Sequence, residues 1–251
     1  MLDLLEWLRQ QCAEYEMDVV AAFRRSGEHE WPLEAADEDA LENTLAEGGH
    51  LLPLPKEPAA LANIIEVSLV DFLLRRADET EGVEARRGTE RGYPDIEFTG
   101  SAFGGDYHAV DVKVARLVAS GKRTQSRITL YTGNTFFRWP TLHWPGTFRA
   151  FEEYRSHLVA ICLYTLDERK RSRVAGPVEV IVQRSWRVGS RQRSSTTREY
   201  LGAVTDVKAL REGKGEFEAE EEFYGYWRKF PFRIGKAVEA QLRKLLKGST
   251  G

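Results

Sequence analysis

The chain has 251 residues, 42% hydrophobic and 30% charged, with a formal net charge of −3. That length suits one large domain with a sizeable core, and the composition excludes a disordered or fibrous chain. No apolar run approaches the ~20 residues of a membrane span, the acidic, interrupted N-terminus does not read as a signal peptide, and Cys12 and Cys162 stand far apart without CxxC spacing, which argues against a disulfide framework or zinc knuckle and for a reducing cytoplasm.

In chain order, residues 2–24 are expected to form an amphipathic helix, because Leu4, Leu5, Leu8, Cys12, Tyr15 and Val19 recur at helical spacing. Residues 31–58 are punctuated by Pro and Gly, with a short helical piece over 37–46. A second helix over 58–78 carries Leu61, Ile64, Ile65, Leu69, Phe72 and Leu73 on its apolar side. Strands follow at 96–99 and 107–114, joined by a turn over 100–106. Residues 128–131 are expected to extend the sheet, 151–164 to form a buried helix and 178–183 another strand. The tail from Glu218 is helical and ends in a basic amphipathic segment over 234–247. The pattern is α/β. Charge is unevenly spread: residues 114–215 hold 19 Lys+Arg against 8 Asp+Glu, a net +11, and the remainder 17 against 31, a net −14. A basic half suits a polyanion, although charges that only cover solvated faces give the same count.

The chemistry concentrates in Tyr93-Pro94-Asp95 and, sixteen residues later, Asp111-Val112-Lys113. Alternation along a strand puts Asp111 and Lys113 on one face and Val110 and Val112 on the other. The valines then enter the core, leaving the charged pair at a sheet edge, and Pro94 suits the entry to an edge strand. The hairpin brings Asp95 toward Asp111. Two close carboxylates repel unless a cation joins them, which fits a Mg²⁺ site. Lys113 is placed to position or deprotonate a water, or to stabilise developing negative charge. A surface hairpin with an Asp–Lys pair would carry the same letters. Glu66, among Ile64, Ile65 and Leu69, is either at the edge of the core or directed at a metal. The five histidines, His29, His50, His108, His143 and His157, lack ligand spacing and read as structural, and Trp139 and Trp144 as loop packing.

Over residues 52–230, and more loosely through the first helix, the chain resembles the EcoRV-type type II restriction endonucleases of the PD-(D/E)xK nuclease superfamily. The resemblance rests on the spacing of Glu66, Asp95 and Asp111, on the two motifs above, and on Thr129-Leu130 leading to Phe137-Arg138. It continues through Val178-Glu179-Val180 to Trp186, Glu212-Gly213-Lys214-Gly215, Glu221-Glu222-Phe223 and Tyr226-Trp227-Arg228. It implies a restriction-endonuclease-like mixed central β-sheet flanked by helices, in a U-shaped homodimer around double-stranded DNA. Residues 1–58 would supply the N-terminal helix and dimerisation region, 59–186 the catalytic core, and 187–251 the recognition loop and C-terminal helices. It further implies Mg²⁺, with Mn²⁺ as a substitute, held by Asp95, Asp111 and Glu66, and Lys113 assisting the attacking water. Cutting would leave blunt ends at a palindromic site, in a prokaryotic cytoplasm that also holds a cognate DNA methyltransferase.

The same resemblance places a major-groove recognition loop on Ser190, Arg191, Gln192, Arg193, Ser194, Ser195, Thr196 and Thr197, bounded by Arg187 and Arg198. Arg suits guanine and Gln suits adenine, whereas a polar surface hairpin would look alike. Two arginines stand there in place of the family's small residues. A minor-groove loop falls on Thr89, Glu90, Arg91 and Gly92, and Thr129 and Thr135 are candidate phosphate contacts. The alternatives are a repair or junction-resolving nuclease with the same core, or a catalytically silent DNA-binding protein.

Overall fold

The computed structural model describes residues 1–16, 36, 37, 39, 40, 43, 58–89, 92–166 and 175–248. Most of the expected helix over 37–46 and of the Pro/Gly-punctuated stretch, residues 17–24 of the first helix, His29, His50, Glu90 and Arg91 therefore lie outside the described residues.

Helix α1 (Leu4–Ala13) starts where Asp3 accepts a hydrogen bond from the Glu6 N–H at 3.1 Å, satisfying one of the orphan donors of the first turn, and it stops at Ala13. Helix α2 (Pro58–Asp78) follows as expected. Strands β1 (Glu84–Arg87), β2 (Ile96–Thr99), β3 (His108–Arg116), β5 (Ser156–Leu166) and β6 (Ala175–Arg184) form one mixed sheet in the order β1-β2-β3-β5-β6, with β3 and β5 parallel and the other pairs antiparallel. Strands β4 (Thr129–Thr132), β7 (Gly189–Arg193) and β8 (Tyr200–Ala203) form a second sheet in the order β4-β8-β7. Helices α3 (Val207–Glu212), α4 (Glu220–Lys229) and α5 (Lys236–Gly248) complete the described chain. None of the described helices is long and apolar enough to cross a membrane.

Two apolar layers sandwich the large sheet. On one face, Leu8 of α1 and Ile65, Leu69 and Leu73 of α2 pack on Phe98, Val110, Val112, Leu158, Ala160 and Cys162. On the other, Ala109, Val159, Ile161 and Leu163 meet Tyr131, Phe137, Leu201, Phe223 and Trp227. This explains why residues 151–164 are not the expected buried helix. A 3₁₀ turn at Phe151–Glu153 leads into β5, whose successive residues enter opposite layers, so both faces are apolar and the polar alternation that marks a strand is missing. Three further expectations are corrected. Of residues 128–131, Thr129 to Tyr131 lie in β4 of the small sheet, and β3 is the central strand of the large one, so Asp111 and Lys113 do not sit at an edge. Nor does Pro94 lead into an edge strand: β2 lies between β1 and β3.

Candidate functional site

The split of faces along β3 is as expected. Val110 and Val112 enter the helix-side layer, while Asp111 and Lys113 emerge on the opposite face between Ala109 and Ala115. Strand β2 pairs with β3 only from Ile96 to Phe98, opposite Val110 to His108. One residue before β2, Asp95 takes over where the ladder stops: its Oδ2 accepts the Val112 N–H at 2.7 Å. The backbone of β3 thus fixes the Asp95 carboxylate beside Asp111. The Lys113 Nζ lies 2.7 Å from Asp111 Oδ2 and 3.4 Å from Asp95 Oδ2, and donates to the Val112 carbonyl at 2.9 Å.

Three carboxylates act on one ammonium here, since Glu66 also feels Lys113 and Asp95. When all are ionised the group carries excess negative charge in a half-buried place, and every shift follows from that. Burial pushes the Asp111 carboxyl well above its usual range; Lys113 opposes this and Asp95 adds to it. Burial likewise raises Glu66, with Lys113 opposing and Asp95 reinforcing. Burial alone would lower Lys113, but Asp111 and Asp95 more than offset it and hold the amine above the ordinary lysine value. Among the described residues no three His, Cys, Asp or Glu side chains are gathered to hold a metal ion. Two convergent carboxylates with unneutralised charge nevertheless fit Mg²⁺, which keeps several waters and needs only one or two protein carboxylates.

Beneath the site, Tyr93 OH and His157 Nδ1 are hydrogen-bonded at 2.7 Å, and the imidazole stacks on Phe151 with centroids 3.7 Å apart. His157 is paired with Ala109 across the β3–β5 ladder, so it lies on the face that carries Asp111. His108, bonded to Ser156 Oγ at 2.8 Å, is structural as expected. Trp139 and Trp144 pack on each other, with centroids 5.7 Å apart.

The residues expected to read DNA form the β7–β8 hairpin. Arg191, Gln192 and Arg193 end β7, Ser194 to Arg198 make the turn, and Thr129 Oγ1 on β4 is 2.7 Å from Ser194 Oγ. Thr129 is thus joined to the hairpin, while the Thr135 carbonyl accepts the Arg138 N–H at 3.0 Å in a separate turn. Gly92 closes the Thr89 turn with an N–H···O bond of 2.9 Å, and a Cβ there would come within 2.1 Å of the Gly146 carbonyl, so packing already requires this glycine. Sequence reasoning missed three anchors of the hairpin: Arg127 and Glu216, which reach it from elsewhere in the chain, and Glu199, which lies within it just before β8. Arg127 donates to Gln192 Oε1 at 2.6 Å, Glu199 pairs with Arg193 at 3.2 Å, and Glu216 accepts the Arg191 N–H at 2.6 Å. The Glu-Gly-Lys-Gly and Tyr-Trp-Arg blocks hold the same hairpin: Gly215 lies against Gly189, and Trp227 Nε1 donates to Ser190 O at 3.1 Å.

A mixed α/β sheet flanked by helices, with two acids and a lysine meeting beside its central strand, is the architecture of a nuclease domain. The family model for the restriction endonuclease EcoRV matches residues 27–247, and the chain belongs to that family. No curated protein matches the chain significantly.

Proposed function

We propose that the chain is a Mg²⁺-dependent, sequence-specific endodeoxyribonuclease of the restriction type. It acts as a homodimer that cuts both strands of a palindromic site and leaves blunt ends, in a prokaryotic cytoplasm protected by a cognate methyltransferase. The observation that carries this reading is the convergence of Asp95, Asp111 and Lys113 beside the central strand of a chain from this family. The oxygens of Asp95 and Asp111 would hold the ion, with Glu66 adding negative charge to the site's field, and Mn²⁺ suits the same donors. When bound, the ion polarises a phosphoryl oxygen and makes a coordinated water more acidic.

The protein's own groups do the positioning. The Val112 N–H keeps one Asp95 oxygen turned toward Asp111. Lys113, 2.7 Å from Asp111 and 3.4 Å from Asp95, is placed to donate a hydrogen bond and to set a positive charge against the charge that develops on the phosphate. Two-fold symmetry would require the palindrome.

Incubation of the protein with phage DNA and Mg²⁺ tests the reading. Discrete fragments are expected, lost on chelation and in Asp95→Ala, Asp111→Ala and Lys113→Ala. A smear would point to a repair-type nuclease. Binding without cutting would point to a silent DNA-binding protein.

A further inference from the structure

We propose that Tyr93 is a positioning residue for Asp95: its hydroxyl, held by His157, anchors the segment that carries the carboxylate to the far side of β3. What that carboxylate does rests on the nuclease reading above, but how it is held comes from the contacts of the segment.

Asp95 stands outside the β2–β3 ladder, which begins at Ile96, so no strand pairing fixes it against β3. Three bonds take the place of the ladder. Its Oδ2 accepts the Val112 N–H at 2.7 Å, its carbonyl accepts the Gly88 N–H at 2.7 Å, and the Tyr93 N–H donates to the Gly146 carbonyl at 3.1 Å. Neither of the two backbone–backbone bonds reaches β3 or β5. The Tyr93 side chain does. Its hydroxyl and His157 Nδ1 are 2.7 Å apart, and His157 lies on β5, the neighbour of β3 on the side away from β2. One side chain thus spans the strand that carries Asp111 and Lys113.

The anchor is closely packed. The Tyr93 ring stacks on Phe136, with centroids 4.8 Å apart, and on Phe151 at 5.7 Å, while Tyr131 and Tyr154 stand edge-on at 5.7 and 6.2 Å. Tyr93 and His157 are both buried, so their bond is not readily exchanged for water, and removing one partner orphans the other. Two further phenols of this layer differ: the hydroxyls of Tyr131 and Tyr224 are shielded yet have no partner among the described residues. Three phenols pack alike and one is tied. Outer partners that hold a metal ligand in place are worth about 10- to 100-fold in metal affinity. Tyr93 acts on Asp95 through the backbone, so the lower end applies.

The test reads Asp95 twice: by amide exchange of Val112, whose N–H the carboxylate holds, and by Mn²⁺ binding followed by electron paramagnetic resonance. Tyr93→Phe should speed Val112 exchange about 10-fold, leave the amides that join β3 to β5 as they are, and weaken Mn²⁺ binding about 10-fold. His157→Leu should do the same to Val112 and to Mn²⁺, and it carries the test if Tyr93→Phe does not fold. His157→Gln keeps an acceptor for the phenol and should retain most of the protection. Tyr131→Phe removes a hydroxyl without a partner and should change neither reading. Unchanged Val112 exchange in Tyr93→Phe and His157→Leu would overturn the proposal. So would an equal loss in Tyr131→Phe, because packing and not the bond would then position the segment. Faster Val112 exchange in these variants of a chain that binds no Mn²⁺ and cuts no DNA would sink the nuclease reading and leave this one standing. A chain that binds Mn²⁺ and cuts DNA, with Val112 exchange unmoved in both variants, would do the reverse.

Discussion

The ammonium of Lys113 is shared between Asp111, at 2.7 Å, and Asp95, at 3.4 Å, so one cation joins two acids brought together by the end of the β2–β3 ladder. Removing it deprives the site of its fixed positive charge and leaves Asp111 buried. Lys113→Ala should therefore lower single-turnover cleavage about 10²- to 10⁴-fold, the scale of one positioned proton-transfer or charge-stabilising group. Circular dichroism should still show a folded chain, since the raised carboxyl of Asp111 can take up a proton instead. Cleavage at the wild-type rate would remove Lys113 from the site.

His157 sets an acid limit on stability. It is buried between Phe151 and Tyr93, and burial lowers its imidazole to about 3; nearby Arg228 adds to this and a Phe151 backbone contact opposes it. A histidine depressed in the folded state leaves stability intact above its unfolded value of 6.5 and erodes it as pH falls toward 3. Between those limits this group contributes a loss of about 1.4 kcal/mol per pH unit. Urea midpoints between pH 6.5 and 4.5 should fall more steeply for the wild-type chain than for His157→Gln, which cannot gain the charge. Parallel slopes would show that the imidazole does not control the acid limb.

The opposed faces of β3 were legible because alternation is local: Val110 and Val112 are apolar where Asp111 and Lys113 are charged. The placement of that strand was not, because whether β3 is central depends on β5 aligning beside it. Strand β5 was itself misread, since apolar cover on both sides erases the period-two signal. Asp95 could be paired with Asp111 from the hairpin spacing, but not with the Val112 N–H, which is available only because the ladder ends at Ile96. Arg127 and Gln192 are 65 residues apart in sequence, and no local pattern marks their contact.

Cys12 on α1 and Cys162 on β5 are both free thiols buried in the helix-side layer. Burial pushes each thiol up to about 12, so neither forms appreciable thiolate near neutral pH. An Ellman titration of the folded protein at pH 8 should find no fast-reacting thiol, and both should react once denaturant is added. A thiol that reacts within seconds in native buffer would place Cys12 or Cys162 outside this layer.

Glu97 lies two residues beyond Asp95 on β2, is 5% exposed, and is held by Arg149 at 2.7 and 3.1 Å and by the Tyr154 hydroxyl at 3.0 Å. Arg86 Nη2 also lies 3.6 Å from Glu97 Oε1, so removing Arg149 leaves the buried carboxylate with one weaker partner and costs about 3 kcal/mol, the low end of what a buried pair loses when one charge is left wholly uncompensated. Arg149→Met should therefore lower stability on that scale, while Glu97→Gln combined with Arg149→Met should cost less than the sum of the two single changes. Since β2 carries Asp95 into the site, the single Arg149 variant should also lose cleavage below its melting range, and the double variant should regain part of it. Denaturant unfolding with cleavage assays on all four chains completes the cycle. Additive stability changes would mean that Glu97 and Arg149 are solvated independently and do not brace the strand that carries Asp95.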